Sequence, residues 1–131
     1  ILLSFIFKFR ESIMKNFNHY VCTHTFTSEQ SRRSFLTAPE NKNPSTLRLT
    51  EKEWTISSKG EFATCLQTWV GNDDFFFCHW IAEDEEQIYK QIETWGLSNI
   101  INTLIHPMHR FMSAYRNSDQ VEQFPDNGFK W

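Results

Sequence analysis

The chain has 131 residues, of which 40 % are hydrophobic and 16 % aromatic, so it can form one domain with its own core. Its formal charge of −3 and its scattered Lys and Arg residues form no basic patch, which disfavours nucleic acid and membrane surfaces as partners. The three cysteines, Cys22, Cys65 and Cys78, are too few for a disulfide framework, and their odd number favours a reducing, cytoplasmic location.

The N-terminal residues 1–17 are predicted to be an extension that precedes the domain. The apolar run at their start, ILLSFIF, ends at Lys8, whereas a membrane span needs roughly 20 apolar residues. Residues 1–13 either lie upstream of a true start at Met14 or form a short helix that packs on the domain.

The first strand and the first helix are predicted over residues 19–26 and 28–38. The strand sequence HYVCTHTF is rich in β-branched and aromatic residues. Thr27 and Gln30 have the spacing of a capping box, which predicts that a helix starts there.

Residues 38–60 are predicted to be an insertion, because Pro, Asn, Ser and Thr are frequent in this part of the chain. Two interpretations remain open for its second half. It is either a loop or a short helix that Thr50 and Glu53 cap and that Trp54 anchors.

A hairpin follows, with strands at 62–70 and 75–82 joined by the turn sequence GNDD. The acidic segment after it predicts a second main helix, because Asp84 and Gln87 form a capping pair and Gly96 is a typical C-terminal stop. The last strand is predicted over 99–115, and Pro107 within it implies an edge position or a bulge.

The order strand, helix, strand, strand, helix, strand predicts an α+β protein with the ferredoxin-like split βαβ fold. This fold has a four-stranded antiparallel sheet with its two main helices on one face. We expect the domain to cover residues 18–115, with a tail over 116–131.

Both faces of the predicted strand 75–82 carry apolar residues, which is unusual for a sheet that helices cover on one side only. An uncovered apolar face favours association. The sequence therefore predicts a homodimer with sheet-on-sheet packing.

The segment WVGNDDFFFCHWIAEDEEQIYKQIETWGL, residues 69–97, resembles the hairpin and helix of the dimeric α/β-barrel superfamily. The residues that carry the resemblance are Phe77, Cys78, Ala82 and Asp84. The first strand with its capped helix and the last strand fit the same fold, so the resemblance covers residues 18–115. This superfamily includes small proteins similar to antibiotic-biosynthesis monooxygenases, haem-handling proteins, stress-response proteins and nickel-binding proteins. The resemblance implies the fold and leaves the activity open.

Three histidines on neighbouring predicted strands, His24, His79 and His106, are candidate ligands for a transition metal ion as cofactor, with Cys78 or water in a fourth position. Cys78 and His79 are adjacent, so they point to opposite faces of a regular strand and can share an ion only at a bulge. The alternative is that these histidines are partly buried and bonded to the backbone or to tyrosine. Cys78 itself is interpreted as a core residue rather than a nucleophile, because apolar surroundings raise a thiol pKa.

Aromatic side chains indicate a second kind of site, a cavity for a flat organic ligand, although the same side chains suit a dimer core equally well. They are Trp69, Phe75, Phe77, Trp80 and Trp95. The candidate ligand-binding residues are His24, His79, His106, Trp69 and Trp80.

Three functions fit these patterns. The first is a dimeric protein that binds a small molecule or a metal ion at its sheet. The second is a cofactor-independent monooxygenase acting on an aromatic substrate, with His24 or His106 as base. The third is a purely structural dimer subunit, so the sequence leaves open whether the protein is an enzyme.

Overall fold

A computed structural model describes residues 2–3, 17–37, 49–119 and 121. The described residues form an α+β structure with a four-stranded antiparallel sheet and three helices. Most of the predicted extension (1–17), residues 38–48 of the predicted insertion and most of the predicted tail (116–131) lie outside the described residues. In chain order the elements are β1 (Asn18–Phe26), α1 (Glu29–Thr37), α2 (Glu51–Ser57), β2 (Ala63–Val70), β3 (Phe75–Ala82), α3 (Glu85–Thr94) and β4 (Ile101–Met108).

The strand order across the sheet is β2-β3-β1-β4, so β1 lies between β3 and β4. The edge position expected from Pro107 is confirmed, because β4 is the outer neighbour of β1. The register shifts between Cys65 and Gln67, which marks a β-bulge in the other edge strand, β2. Since residues directly opposite each other in a sheet share a face, the register decides which side chains meet.

The helix boundaries follow from their capping residues. The capping box of Thr50 and Glu53 is present at the start of α2, which confirms the short-helix interpretation. Asp84 accepts a hydrogen bond from the backbone N–H of Gln87, as expected at the start of α3. Gly96 ends this helix with a φ of 76°, a left-handed conformation that glycine adopts without a steric penalty.

The start of α1 differs from the expectation by one residue. Ser28, and not Thr27, accepts a hydrogen bond from the backbone N–H of Ser31, at 3.0 Å. The Thr27 hydroxyl instead donates to the carbonyl oxygen of Asn99 at 2.9 Å. Thr27 therefore ties the start of α1 to the turn before β4.

One face of the sheet, which we call the helix face, packs against the helices. Phe35 of α1 packs against Phe26 and Phe76, with ring centroids 5.4 and 5.0 Å apart. Ile88 and Ile92 of α3 belong to the same buried cluster. Burying each such side chain contributes roughly 1.5 to 3 kcal/mol, so this face forms the core.

The opposite face, which we call the open face, is covered at one end by the chain itself. β4 ends at Met108, so the predicted strand over residues 99–115 is wrong beyond that residue. The chain then turns over the sheet, and the ring of Phe111 lies 5.2 Å from His19 and 4.9 Å from His79. Residues 109–117 form no strand pairing and instead supply side chains above the sheet.

No helix among the described residues is long and apolar enough to cross a membrane.

Candidate functional site

The register places the candidate residues on different faces. His24 lies opposite Phe76 and Thr103 on the helix face, together with Trp80. His79 and His106 both lie opposite Val21, on the open face. The pairing of Trp69 with Phe77 puts this tryptophan on the open face as well. The candidate set is therefore split into two groups by the sheet.

The three candidate metal ligands are not brought together. His24 is 1 % exposed, its Nδ1 lies 2.8 Å from Thr103 Oγ1, and it stacks on Phe76. His79 and His106 lie on strands separated by β1, which corresponds to about 10 Å between their Cα atoms. Within the part of the chain that the structure describes, no group of three or more His, Cys, Asp or Glu side chains could hold a metal ion.

A cavity of about 320 Å³ lies on the open face between the sheet and the segment that follows β4. This volume is at the lower end of the range for small-molecule sites. The strands contribute one wall and the segment after β4 contributes the other, and we call the space between them the open-face cavity. Its lining residues are Val21, Gln67, Trp69, His79, Met108, Phe111, Met112, Ser113, Ala114 and Tyr115.

Two of the five candidate ligand-binding residues, His79 and Trp69, line this cavity. His79 is 5 % exposed and forms part of the floor, whereas Trp69 is 52 % exposed and forms part of the rim. His106 is exposed and lies outside the lining, and His24 and Trp80 belong to the opposite face. Of the five aromatic residues expected to line a cavity, only Trp69 lines this one, and its other aromatic lining residues are Phe111 and Tyr115.

A chain of polar side chains runs from this cavity into the sheet. His79 Nδ1 lies 3.5 Å from Gln67 Nε2, and His79 Nε2 lies 2.8 Å from His19 Nδ1. A Gln67 amide that donates to His79 Nδ1 leaves the proton of His79 on Nε2, from which it is donated to His19. These two contacts hold the His79 ring in place in the cavity floor.

Burial determines the charge of the two imidazoles. Desolvation and, to a smaller extent, the neighbouring His19 lower the pKa of His79 to about 4. Burial lowers the pKa of His19 as well. Both rings are neutral at physiological pH, so they can donate and accept hydrogen bonds but carry no positive charge.

The sequence analysis missed His19, Gln67 and Phe111. His19 and His79 are odd-numbered residues of strands whose odd positions share the open face, but only the register reveals that they meet. Gln67 reaches the same face because the bulge at Leu66 shifts the register of β2. Phe111 was assigned to a strand, so its position above the sheet was not expected.

The arrangement can hold a small apolar or aromatic molecule that exchanges one or two hydrogen bonds with neutral groups. Aromatic walls provide contact area at low entropic cost, and the thioethers of Met108 and Met112 adapt to irregular shapes.

In comparisons with known proteins, no family model matches the chain, and no curated protein or solved structure does so either.

Proposed function

We propose that this protein binds a small, flat, uncharged organic molecule in the open-face cavity. The observation that carries the proposal is the position of His79, which lines an otherwise largely aromatic and thioether-lined cavity and is held in orientation by His19 and Gln67. A cavity of this composition favours an aromatic ring with a hydroxyl or carbonyl group.

Binding rather than proton abstraction is the role that suits His79. A general base works best when its pKa lies near the operating pH, and burial holds the pKa of His79 at about 4. The two histidines expected to act as base in a monooxygenase, His24 and His106, do not line the cavity. The monooxygenase alternative therefore has no observation that favours it over ligand binding.

Dimerisation through the open face is part of the same proposal. Three large apolar side chains lie exposed in the part of this face that residues 109–117 leave uncovered, namely Phe75, Phe77 and Leu104 at 39, 40 and 63 % exposure. Trp69, Phe77 and Leu104 lie in one row across the sheet, because Phe77 and Leu104 are both opposite Thr23. A second copy placed on this row would bury these side chains and close the rim of the cavity at Trp69.

The strand order and the helices on one face also support the ferredoxin-like fold and the relation to dimeric α/β-barrel proteins. In this proposal two copies of the chain form a dimer of that structural class. Its distinguishing feature is the segment after β4 that roofs the cavity within each subunit.

Titration with naphthol, a flat phenol, tests ligand binding by calorimetry and tryptophan fluorescence. We expect saturable binding of one molecule per chain. The Trp69→Ala variant removes one aromatic wall, which is worth about 1 kcal/mol or more, so the affinity should fall roughly ten-fold. Ile56→Ala serves as the control, because Ile56 is 69 % exposed on α2, outside the cavity lining.

The proposal fails if naphthol binds without saturation, or if Trp69→Ala and Ile56→Ala bind it as tightly as the unmodified chain. Circular dichroism of both variants shows whether the fold is retained.

A further inference from the structure

All three cysteines lie on the helix face of the sheet, on three adjacent strands. Cys22 of β1 is directly opposite Cys78 of β3, and Cys65 of β2 is opposite Trp80, two residues further along β3. All three are free thiols, with exposures of 0, 2 and 5 % for Cys22, Cys78 and Cys65. Cys65 and Cys78 both line one cavity on this face. Two thiols of one subunit are therefore neighbours inside the core.

A small cavity adjoins these two thiols. It has a volume of about 20 Å³, which is room for one water-sized molecule. Its lining includes His24, Cys65, Cys78, Trp54 and Trp80. We call it the thiol cavity, and it is separate from the open-face cavity because it lies on the other side of the sheet.

Two orphaned donors accompany the thiols. Among the described residues, the indole N–H groups of Trp54 and Trp80 are buried without a hydrogen-bond partner, and both side chains line the thiol cavity. A buried N–H group without a partner costs about 1 to 3 kcal/mol, so two of them beside one cavity call for an explanation. An oxygen atom in the cavity would satisfy them.

We propose that Cys78 is an oxidation site, at which a peroxide converts the thiol to a sulfenic acid in the thiol cavity and Cys65 then closes a Cys65–Cys78 disulfide. In the first step the Cys78 sulfur attacks one oxygen of hydrogen peroxide. A sulfur–oxygen bond forms, the oxygen–oxygen bond breaks, and the departing hydroxide takes up the thiol proton as water. The sulfur is oxidised and the peroxide is reduced.

In the second step the Cys65 sulfur attacks the Cys78 sulfur. A disulfide bond forms, the sulfur–oxygen bond breaks, and the hydroxide leaves as water with the proton of Cys65. The indole N–H groups of Trp54 and Trp80 supply hydrogen bonds to the oxygen that Cys78 carries between the two steps.

The surroundings select Cys78 among the three thiols. Burial raises the pKa of Cys22 and of Cys65, which keeps both protonated. Burial acts on Cys78 in the same direction, but the neighbouring Cys65, His24 and Thr68 side chains outweigh it and lower the pKa of Cys78. Because the thiolate is the nucleophile, Cys78 should react first.

Access to the thiol cavity is provided by α2. Trp54 lines the cavity and packs against the core, yet α2 has no fully buried residue, so few buried contacts hold this helix on the sheet. A helix with few buried contacts opens at low cost, and peroxide can then reach Cys78 without global unfolding.

The test is peptide mapping by mass spectrometry after the full, reduced chain is treated with hydrogen peroxide. We expect a mass loss of two hydrogen atoms and a disulfide that links Cys65 to Cys78 within one chain. In the Cys65→Ser variant the reaction should stop at the sulfenic acid, which dimedone traps on Cys78. Cys22→Ser is the matched control, because it removes the other neighbouring thiol and should form the disulfide as the unmodified chain does.

A disulfide between Cys22 and Cys78, a link between two chains, or three thiols that remain reduced under conditions that oxidise free cysteine would each overturn the proposal. The unmodified chain alone gives this answer, so the test does not depend on the folding of a variant. Trp54→Phe keeps the ring and removes the indole N–H, and it should slow trapping at Cys78 roughly two- to ten-fold, which corresponds to one ordinary hydrogen bond. A trapping rate in Trp54→Phe equal to that of the unmodified chain would contradict the role proposed for the indole N–H groups.

Discussion

His19 Nδ1 lies 2.8 Å from His79 Nε2, although the two residues are not opposite each other in the sheet. His19 is paired with Ile81 and His79 with Val21, so their side chains meet across a diagonal of the open face. Phe111 packs against both rings and excludes water from them. Two imidazoles this close cannot both be charged, because like charges at this distance disfavour each other's ionised form.

The stability of the protein should depend on pH through this pair. The pKa of His79 is lowered from 6.5 to about 4 in the folded state by burial and by His19, so the unfolded chain binds a proton before the folded chain does. The free energy of unfolding is therefore fully retained above about pH 6.5 and falls as the pH drops toward 4. The loss from His79 amounts to about 3 kcal/mol, which urea unfolding at several pH values measures.

The His79→Gln variant isolates this contribution. Its free energy of unfolding should change less between pH 6.5 and 4 than that of the unmodified chain, whatever its stability at neutral pH. Equal slopes for His79→Gln and the unmodified chain would show that His79 titrates normally.

A second prediction concerns Gln91, a buried side chain of α3. Its amide oxygen accepts hydrogen bonds from the backbone N–H groups of Phe62 and Ala63 at 2.7 and 3.3 Å. Replacement by Leu leaves both donors without this partner, so Gln91→Leu should reduce the free energy of unfolding by about 1 to 3 kcal/mol. Chemical denaturation gives the value, and an unchanged stability would contradict the role assigned to this amide.

The same contact makes Gly60 sensitive to substitution. A Cβ at this position would collide with the Gln91 side chain and with the carbonyl oxygen of Ala63. We expect Gly60→Ala to destabilise the protein by about 1 to 3 kcal/mol in thermal unfolding. At Gly71 an added Cβ meets no described atom within 4 Å, so Gly71→Ala is the control and should be close to neutral.

The two capped helices should respond differently to loss of their caps. Asp84→Ala removes the acceptor for the Gln87 N–H and should cost about 1 kcal/mol of global stability, because α3 carries the buried residues Ile88 and Ile92. Thr50→Ala should leave the global transition nearly unchanged, since α2 has no buried residue. Hydrogen exchange should instead show faster opening of α2 alone. A large drop in melting temperature for Thr50→Ala would mean that α2 is an integral part of the core.

The proposed dimer is tested by placing a charge on the exposed row of the open face. Light scattering of the unmodified chain at micromolar concentration should give the mass of two subunits. Leu104→Lys should give the mass of one, because Leu104 is 63 % exposed in that row and a buried lysine there would have no partner. Ile56→Lys on α2 is the control and should remain dimeric. A monomeric unmodified chain contradicts the dimer without affecting the open-face cavity.

Local signals in the sequence predicted much of the sheet and its helices. The strand at 75–82 and the caps at Thr50 and Asp84 are set by neighbouring residues, so short-range patterns were sufficient to find them. The residues of the site could not be predicted in this way, because contacts between residues far apart in the sequence bring them together. The contact between the His19 and His79 side chains depends on the register of β1 against β3, and the position of Gln67 depends on the bulge at Leu66. The end of β4 was missed because the aromatic and methionine residues after Met108 resemble a strand, whereas they cover its face.

Each of the two edge strands of the sheet, β2 and β4, contains an interruption. Pro107 in β4 has no N–H to offer a further strand, and the bulge between Cys65 and Gln67 disturbs the ladder of β2. Interruptions of this kind oppose the strand-by-strand growth that leads to fibrils. Association of copies of this chain through the rims of the sheet is thereby disfavoured.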